Sequence, residues 1–397
     1  CFVSLPEHLL GKTGCQPYVE DNKQDRGDIH KMACGAPPVE KLENVQALRG
    51  VAVLLVVFYH LHGLEEFYVA GPHLLPDLCR IGGCGVDLFF VISGLVMVVS
   101  TQGRFGSWQE ARRFFVRRAL RIYPLFWVFS LATMGVYLLP AGQASNVWGE
   151  VNLLASVALW PQEITPLLIV SWTLWHELYF YGVFGVLLSG REQALRRGLV
   201  LWVVALVMAG GLYWWWQQAV SPLRIATDPM TLEFIAGCLM GQVLIRGGCR
   251  KWGALSLVAG FVLWGLAWWF YPVDLDATVP DRWLRLAFLG IPAMLVLYGG
   301  VALERGRRWR MPRWLVRIGY ASYSIYLSHM LVLAVGRRMW FAVIDGGHIQ
   351  GAGWLDLVDN GVALTGLLAL VLAVGGLSYR LIEQWLAAAT RRLLSSR

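Results

Sequence analysis

The chain has no Walker A loop and no Rossmann glycine fingerprint, so nucleotide hydrolysis and hydride transfer lack support. Nothing alternates with period two for long enough to build a membrane barrel. No group of cysteines stands at metal-ligand spacing, and seven cysteines in 397 residues do not make a disulfide framework. Charge is scarce as well: 15% of residues are charged, against 57% hydrophobic and 20 Trp, a combination few soluble domains show. No repeat of 20–50 residues is evident, nor the two-halves symmetry of many transporters. Residues 1–43 lack an apolar core region and are not expected to be a signal peptide. Polar and without periodicity, they are expected to be a mobile arm or a non-native extension. Residue 1 is Cys and not Met, so the chain is expected to be a fragment or to begin at an unusual place.

What the chain does have is apolar blocks of about 18–22 residues, the length of membrane-spanning helices. The expected fold is all-α: a polytopic membrane helical bundle of about ten transmembrane helices. The spans fall at about 46–64, 83–101, 122–139, 169–189, 199–217, 229–246, 252–271, 284–303, 318–336 and 359–383. Basic residues cluster between these blocks. With the N-terminus inside, twenty-one lie in cytoplasmic loops and tail, against six outside: Arg80, Arg224, Arg282, Arg285, Arg337 and Arg338. By the positive-inside rule both termini are expected in the cytoplasm, and the expected location is the cell's inner membrane. The same clustering explains a net charge of +8 without nucleic acid as a partner. The parts are then an arm at 1–43, a transmembrane domain at 44–385 and a basic cytoplasmic tail at 386–397. The exterior connection 140–168, with three prolines and two tryptophans, is expected on the bilayer surface. Cys79 and Cys84 flank the second block, where a disulfide and two free thiols both stay open.

The first block, Glu43 to Gly63, carries Arg49 and, eleven residues on, His60. Helical geometry returns His60 to within roughly 20° of Arg49, ~16 Å further along the axis. With Arg49 at one edge of the hydrocarbon, His60 lies near its middle, where an ionisable group should face the bundle interior or a wet cavity. A histidine buried only for packing is the bland alternative. In FFVRRALRIYPLFW, Arg118 and Arg121 share a face, and Pro124 fits an opening turn or a bend. With Arg49 they place three guanidinium groups at one depth, suited to a phosphate-bearing ligand from the cytosol, whereas Arg112, Arg113 and Arg117 read as topology anchors.

Glu177, in SWTLWHELYFYGVF, lies near mid-membrane at a depth comparable to His60 and is a functional candidate. His176 beside it points about 100° away. A zincin reading fails because position 180 is Phe, so no metal is expected. Asp87, near the exterior end of GVDLFFVISGLVMVVS, is a candidate cavity or acceptor residue, and a helix-start carboxylate is its bland alternative; Ser93 and Gly94 suit close helix packing. Ser322, Tyr326 and His329 fall at i, i+4 and i+7, a polar stripe that reads as a cavity wall. Glu383 closes the last span near the cytoplasm, where an ion pair with nearby Arg380 is an adequate bland account.

Taken in order, these stretches resemble the acyltransferase-3 family of integral membrane acyltransferases. The resemblance runs through Arg49/His60, GVDLFFVISG, the FxxRRxxRIYP block, SWTLxxExxFY around Glu177, GYASYSIYLSHM and YRLIE, and covers residues 44–385. The QALRG form and the lack of an appended hydrolase domain look most like members that modify exopolysaccharides. Where the family often has two acidic residues before its aromatic pair, this chain has His176-Glu177. The resemblance implies transfer of an acyl group, usually acetyl, from cytoplasmic acyl-coenzyme A to a hydroxyl of a saccharide or lipid-linked glycan at the exterior side. Acetyl-CoA is then a co-substrate, with no bound cofactor. Arg49, Arg118 and Arg121 are assigned to donor binding and His60 to general base, since a neutral imidazole can take a hydroxyl proton at neutral pH. A transient acyl-His60 is the alternative, and Glu177 is expected to orient His60 or the acceptor. The rival from another class is a transporter or flippase for a saccharide or anionic metabolite. A membrane acyltransferase of the unrelated Asn/His type is disfavoured by His60 lying in the first span with a partnered Arg.

Overall fold

The computed structural model describes residues 42–68, 73–138, 151–216, 221–248, 251–270, 279–343 and 354–395. Among the described residues every regular element is a helix. The longer ones are α1 (Glu43–Tyr68), α2 (Cys84–Ser100), α3 (Trp108–Leu138), α4 (Trp172–Ser189), α5 (Leu195–Trp216), α6 (Thr231–Ile245), α7 (Gly253–Phe270), α8 (Ile291–Arg305), α9 (Arg313–Tyr320), α10 (Ser322–Val343), α11 (Trp354–Ser378) and α12 (Gln384–Ser395). The fold is the expected polytopic helical membrane bundle. The arm at 1–43 lies outside the described residues but for its last two, as does the first part of the 140–168 connection.

Among the described residues seven helical segments are long and apolar enough to cross a membrane, and an eighth is α9 with α10, bent by 72° at their junction. The two remaining expected spans form helices of a different kind. α6 has 15 residues and rises about 22 Å, short of a ~30 Å hydrocarbon layer. α4 reaches 18 residues but carries His176 and Glu177 in its first two turns. α6 is sheltered by α2, which is buried along its length. A Cβ on Gly94 would strike the Phe234 carbonyl, and one on Gly237 the Val91 carbonyl, so the two backbones touch. This is the close packing expected of Gly94.

Two boundaries shift. α3 begins at Trp108, so Pro124 sits inside a continuous helix and not at its opening turn. Beyond α11, a π turn at Tyr379–Glu383 leads straight into α12, so the basic tail is helical through Ser395. The exposed faces of α5 and α7 present Leu201, Val204, Met208, Trp269 and Phe270, an apolar surface suited to lipid. Cys79 and Cys84 are not joined, and both thiols are free.

The start of α1 is held firmly. Glu304, at the end of α8, accepts the backbone N–H groups of Glu43 (2.8 Å) and Asn44 (3.0 Å), satisfying donors that a helix start leaves open. Asn44 donates to the Gly300 and Trp309 carbonyls and accepts from the Met311 N–H. Added Cβ atoms on Gly50 and Gly319 would hit the Leu315 and Gln46 carbonyls, so α1 and α9 cross at backbone contact beside Arg49.

Candidate active site

Arg49 is fully buried at that crossing and donates to Gln46 Oε1 (3.2 Å) and Ser322 Oγ (2.9 Å). Its electrostatic neighbours include Arg121, Glu383 and Glu177. Arg121 Nη2 lies 3.8 Å from Glu383 Oε1, and Ser324 donates to Glu383 Oε2 at 2.7 Å. The Arg118 guanidinium sits over the Tyr181 ring (5.1 Å) and the Phe114 ring (5.3 Å), while the Tyr181 hydroxyl donates to Glu177. The three arginines expected at one depth are thus gathered in one layer, with two carboxylates among them.

Two expectations change here. Glu177 belongs to this arginine layer and not to His60: Tyr181, one turn along α4, takes its carboxylate, and Arg118 is a charged neighbour. Glu383 pairs with Arg121 and Ser324 in place of Arg380, because the π turn re-aims it into the bundle.

Further along α1, half-buried His60 has its ring centroid 5.1 Å from that of His329 and 5.0 Å from that of Tyr59. His329 Nδ1 donates to the Tyr326 carbonyl at 2.6 Å, which leaves Nε2 as the ring's acceptor, buried and without a hydrogen-bond partner. Ser322 meets Arg49 and His329 meets His60, so α10 lies alongside α1 in the same direction. The stripe at 322, 326 and 329 is therefore chiefly a seam with α1. Only Tyr326 of the three lines the cavity described next, its hydroxyl bonded with Thr173 Oγ1 (2.9 Å).

A cavity of about 800 Å³ opens at the end of the bundle where α1 finishes and α2 begins. His60, Tyr59 and Phe67 line it from α1, Trp172, Trp175 and His176 from α4, and Tyr326 and Arg337 from α10. Arg224, Asp228, Arg282 and Arg285 complete its charged wall. The size suits a sugar-sized ligand with room for a second unit. His176 and Glu177, 100° apart on α4, face the cavity and the arginine layer respectively.

Asp87, a candidate cavity or acceptor residue in the sequence, instead stands behind this wall. It is fully buried and accepts Arg285 Nε (3.1 Å) and Nη2 (2.7 Å), while Nη2 also donates to the Gly83 carbonyl (3.1 Å). Asp228 similarly takes Arg282 at 3.0 Å and the Met230 N–H at 2.9 Å, with His176 Nε2 at 3.7 Å. Sequence reasoning assigned Arg282 and Arg285 to an exterior loop and missed Asp228. Arginine on the side that the positive-inside rule leaves poor was the available signal. Among the described residues no group of three His, Cys, Asp or Glu could hold a metal ion.

Fold and site together define a multi-pass helical membrane protein that brings an arginine layer and a cavity to the two sides of one half-buried histidine. The chain belongs to the acyltransferase-3 family, whose acyltransferase domain matches residues 42–380. It is a membrane acyltransferase. It is similar to the exopolysaccharide production protein ExoZ of Rhizobium meliloti (strain 1021), 32% identical over 286 residues, 66% of this chain and 80% of that protein. Nodulation protein 10 of Rhizobium leguminosarum bv. viciae is 31% identical over 338 residues, 76% and 81% of the two chains. The acyltransferase MdmB of Streptomyces mycarofaciens is 26% identical over 376 residues, 87% and 92% of the two. No solved structure matches the chain.

Proposed function

We propose that the protein moves an acyl group, acetyl in the first instance, from cytoplasmic acyl-CoA to a hydroxyl of a saccharide held in the exterior cavity. One observation carries this reading: His60 stands where the cavity meets the helix that carries Arg49 from the arginine layer. Arg49, Arg118 and Arg121 bind the donor phosphates, and the ~16 Å of helix between Arg49 and His60 suits a pantetheine arm. His60 takes the hydroxyl proton as the oxygen attacks the thioester carbonyl. The C–S bond breaks, an ester forms, and the imidazolium returns the proton to the departing thiolate. His329 Nε2, an acceptor beside His60, is placed to steady the imidazolium. Glu177 and Glu383 hold the arginines in register. The exopolysaccharide production relative supports a polysaccharide acceptor.

The deciding experiment incubates purified protein with acetyl-CoA and a saccharide acceptor. Ester formation with release of CoA is expected. Saccharide translocation without CoA release would favour the transporter reading.

Orientation is tested separately. In the inner membrane with both termini cytoplasmic, Gln109→Cys should react with an impermeant maleimide only from the cytoplasmic side, and Ile164→Cys only from outside. The opposite pattern would invert the assignment of donor and acceptor ends. For the donor, the Arg118→Gln/Arg121→Gln protein should bind acyl-CoA at least tenfold more weakly, since each charge-assisted contact is worth roughly 1.5–3 kcal/mol. Unchanged affinity in a folded double variant would reduce both arginines to anchors.

A further inference from the structure

The cavity wall formed by α4 and the segment before it holds polar atoms with nothing to bond. His176 Nδ1, Trp175 Nε1 and Gln162 Oε1 are buried without a hydrogen-bond partner among the described residues, and all three residues line the cavity. A buried polar atom left unpaired costs free energy that a ligand's polar groups recover on binding.

Two of the three side chains are held from behind. His176 is only 4% exposed, and its Nε2 lies 3.7 Å from Asp228 Oδ2, which takes Arg282 at 3.0 Å. A carboxylate on that side favours the ring proton on Nε2 and leaves Nδ1 an acceptor. Trp172 packs edge-on against the His176 ring, 5.9 Å between centroids, and lies under the Arg282 guanidinium at 5.8 Å. The Gln162 amide is set by its Nε2, which donates to Ser156 Oγ at 3.0 Å, an oxygen that also accepts the Leu167 N–H at 3.1 Å. The wall therefore presents two fixed acceptors, Nδ1 and Oε1, and one donor, the Trp175 indole N–H.

A group that both gives and takes hydrogen bonds satisfies such a set, and a sugar hydroxyl does both. A carboxylate or phosphate has only lone pairs to set against Nδ1 and Oε1. Arg282 and Arg285, in the same cavity, already face Asp228 and Asp87, and burying an anion against acceptors is costly. Tyr326 ties this wall to the reacting histidine. Its hydroxyl meets Thr173, three residues before His176 on α4, and its ring lies 5.6 Å from that of His329, the neighbour of His60. Resting on the reading of this cavity as the acceptor site, we propose that His176, Trp175 and Gln162 form a subsite for one uncharged, fully hydroxylated sugar ring. Its hydroxyls donate to His176 Nδ1 and Gln162 Oε1 and accept from the Trp175 N–H, which leaves another hydroxyl to face His60.

The test measures acetyl transfer from acetyl-CoA by the full chain in lipid nanodiscs to a glucose and a galactose tetrasaccharide. The glucuronate and galacturonate tetrasaccharides of the same linkages serve as acceptors and as competitors. Transfer is expected to at least one neutral tetrasaccharide, and its uronate counterpart should bind about tenfold more weakly, read as KM or as inhibition constant. His176→Phe, Trp175→Phe and Gln162→Leu should each raise the KM for that neutral acceptor roughly three- to tenfold, with kcat and acetyl-CoA KM unchanged. A merely structural role would lower kcat or the folded fraction instead. His176→Asn, whose amide oxygen can stand near the place of Nδ1, should bring the acceptor KM back toward the parent's. An unchanged acceptor KM in folded His176→Phe and Trp175→Phe proteins, or a uronate bound as tightly as its neutral partner, would overturn the subsite and leave the acyltransferase reading intact. Transfer to the uronates alone would do the same. Failure to release CoA with any of the four would overturn the saccharide acceptor as well.

Discussion

A His60→Ala protein should bind acyl-CoA about as tightly as the parent and transfer its acyl group on the order of 10²–10⁴-fold more slowly, the usual worth of a positioned general base. The separation of the two effects follows from the geometry. Arg49 and the other arginines lie at one end of α1, held by Ser322, Glu383 and Glu177, while His60 lies eleven residues along at the cavity. Removing the imidazole therefore leaves the donor layer intact. His60 is half-buried and has no structural hydrogen bond among those described, so the alanine variant should fold. His60→Asn should not restore turnover, because an amide cannot take the proton. His329→Ala should give a smaller loss, because it removes only the neighbour of the imidazolium. The measurement is transfer to the native glycan beside donor binding for each variant. Near-normal transfer by folded His60→Ala would sink the mechanism.

Much of this arrangement is legible in the sequence because helices carry their own ruler. The spacing of Arg49 and His60 fixes both their common face and their separation, and the arginines at 118 and 121 share a face for the same reason. What the spacing cannot supply is the neighbour across the bundle. Glu177 is correctly placed as buried, yet its depth depends on where α4 begins, and the helix starts only at Trp172 after a short 3-10 turn. Its partner Tyr181 follows at i+4, a relation visible in the sequence but silent without the Arg118 ring stack that completes it. The polar stripe of α10 is real, though it faces α1 more than open space, because amphipathic spacing shows a face and not what covers it. Asp87 and Arg285, 198 residues apart, could be joined only by the fold.

That pair supports the second large effect: Asp87→Ala should destabilise the protein by about 3–5 kcal/mol, the cost of leaving one member of a buried ion pair alone. Asp87 is 0% exposed and Arg285 5% exposed, with two hydrogen bonds between them and a third from Arg285 to the Gly83 carbonyl. Glu233 on α6, fully buried beside Asp87, is a second carboxylate that can take up the guanidinium. Its presence should bring the loss toward the lower end of the range, and Asp87→Ala/Glu233→Gln should lose more than the sum of the two single changes. Asp87→Leu/Arg285→Met should recover most of the stability, since an apolar pair of similar volume removes both charges at once. The same double variant strips a cavity-lining guanidinium, so it should fold yet differ from the parent in acceptor KM. Thermal unfolding in detergent, followed with acetyl transfer on the surviving protein, checks both halves. A single Asp87→Ala variant as stable as the parent would show that Arg285 finds water or another carboxylate, and that Asp87 does not hold the cavity wall.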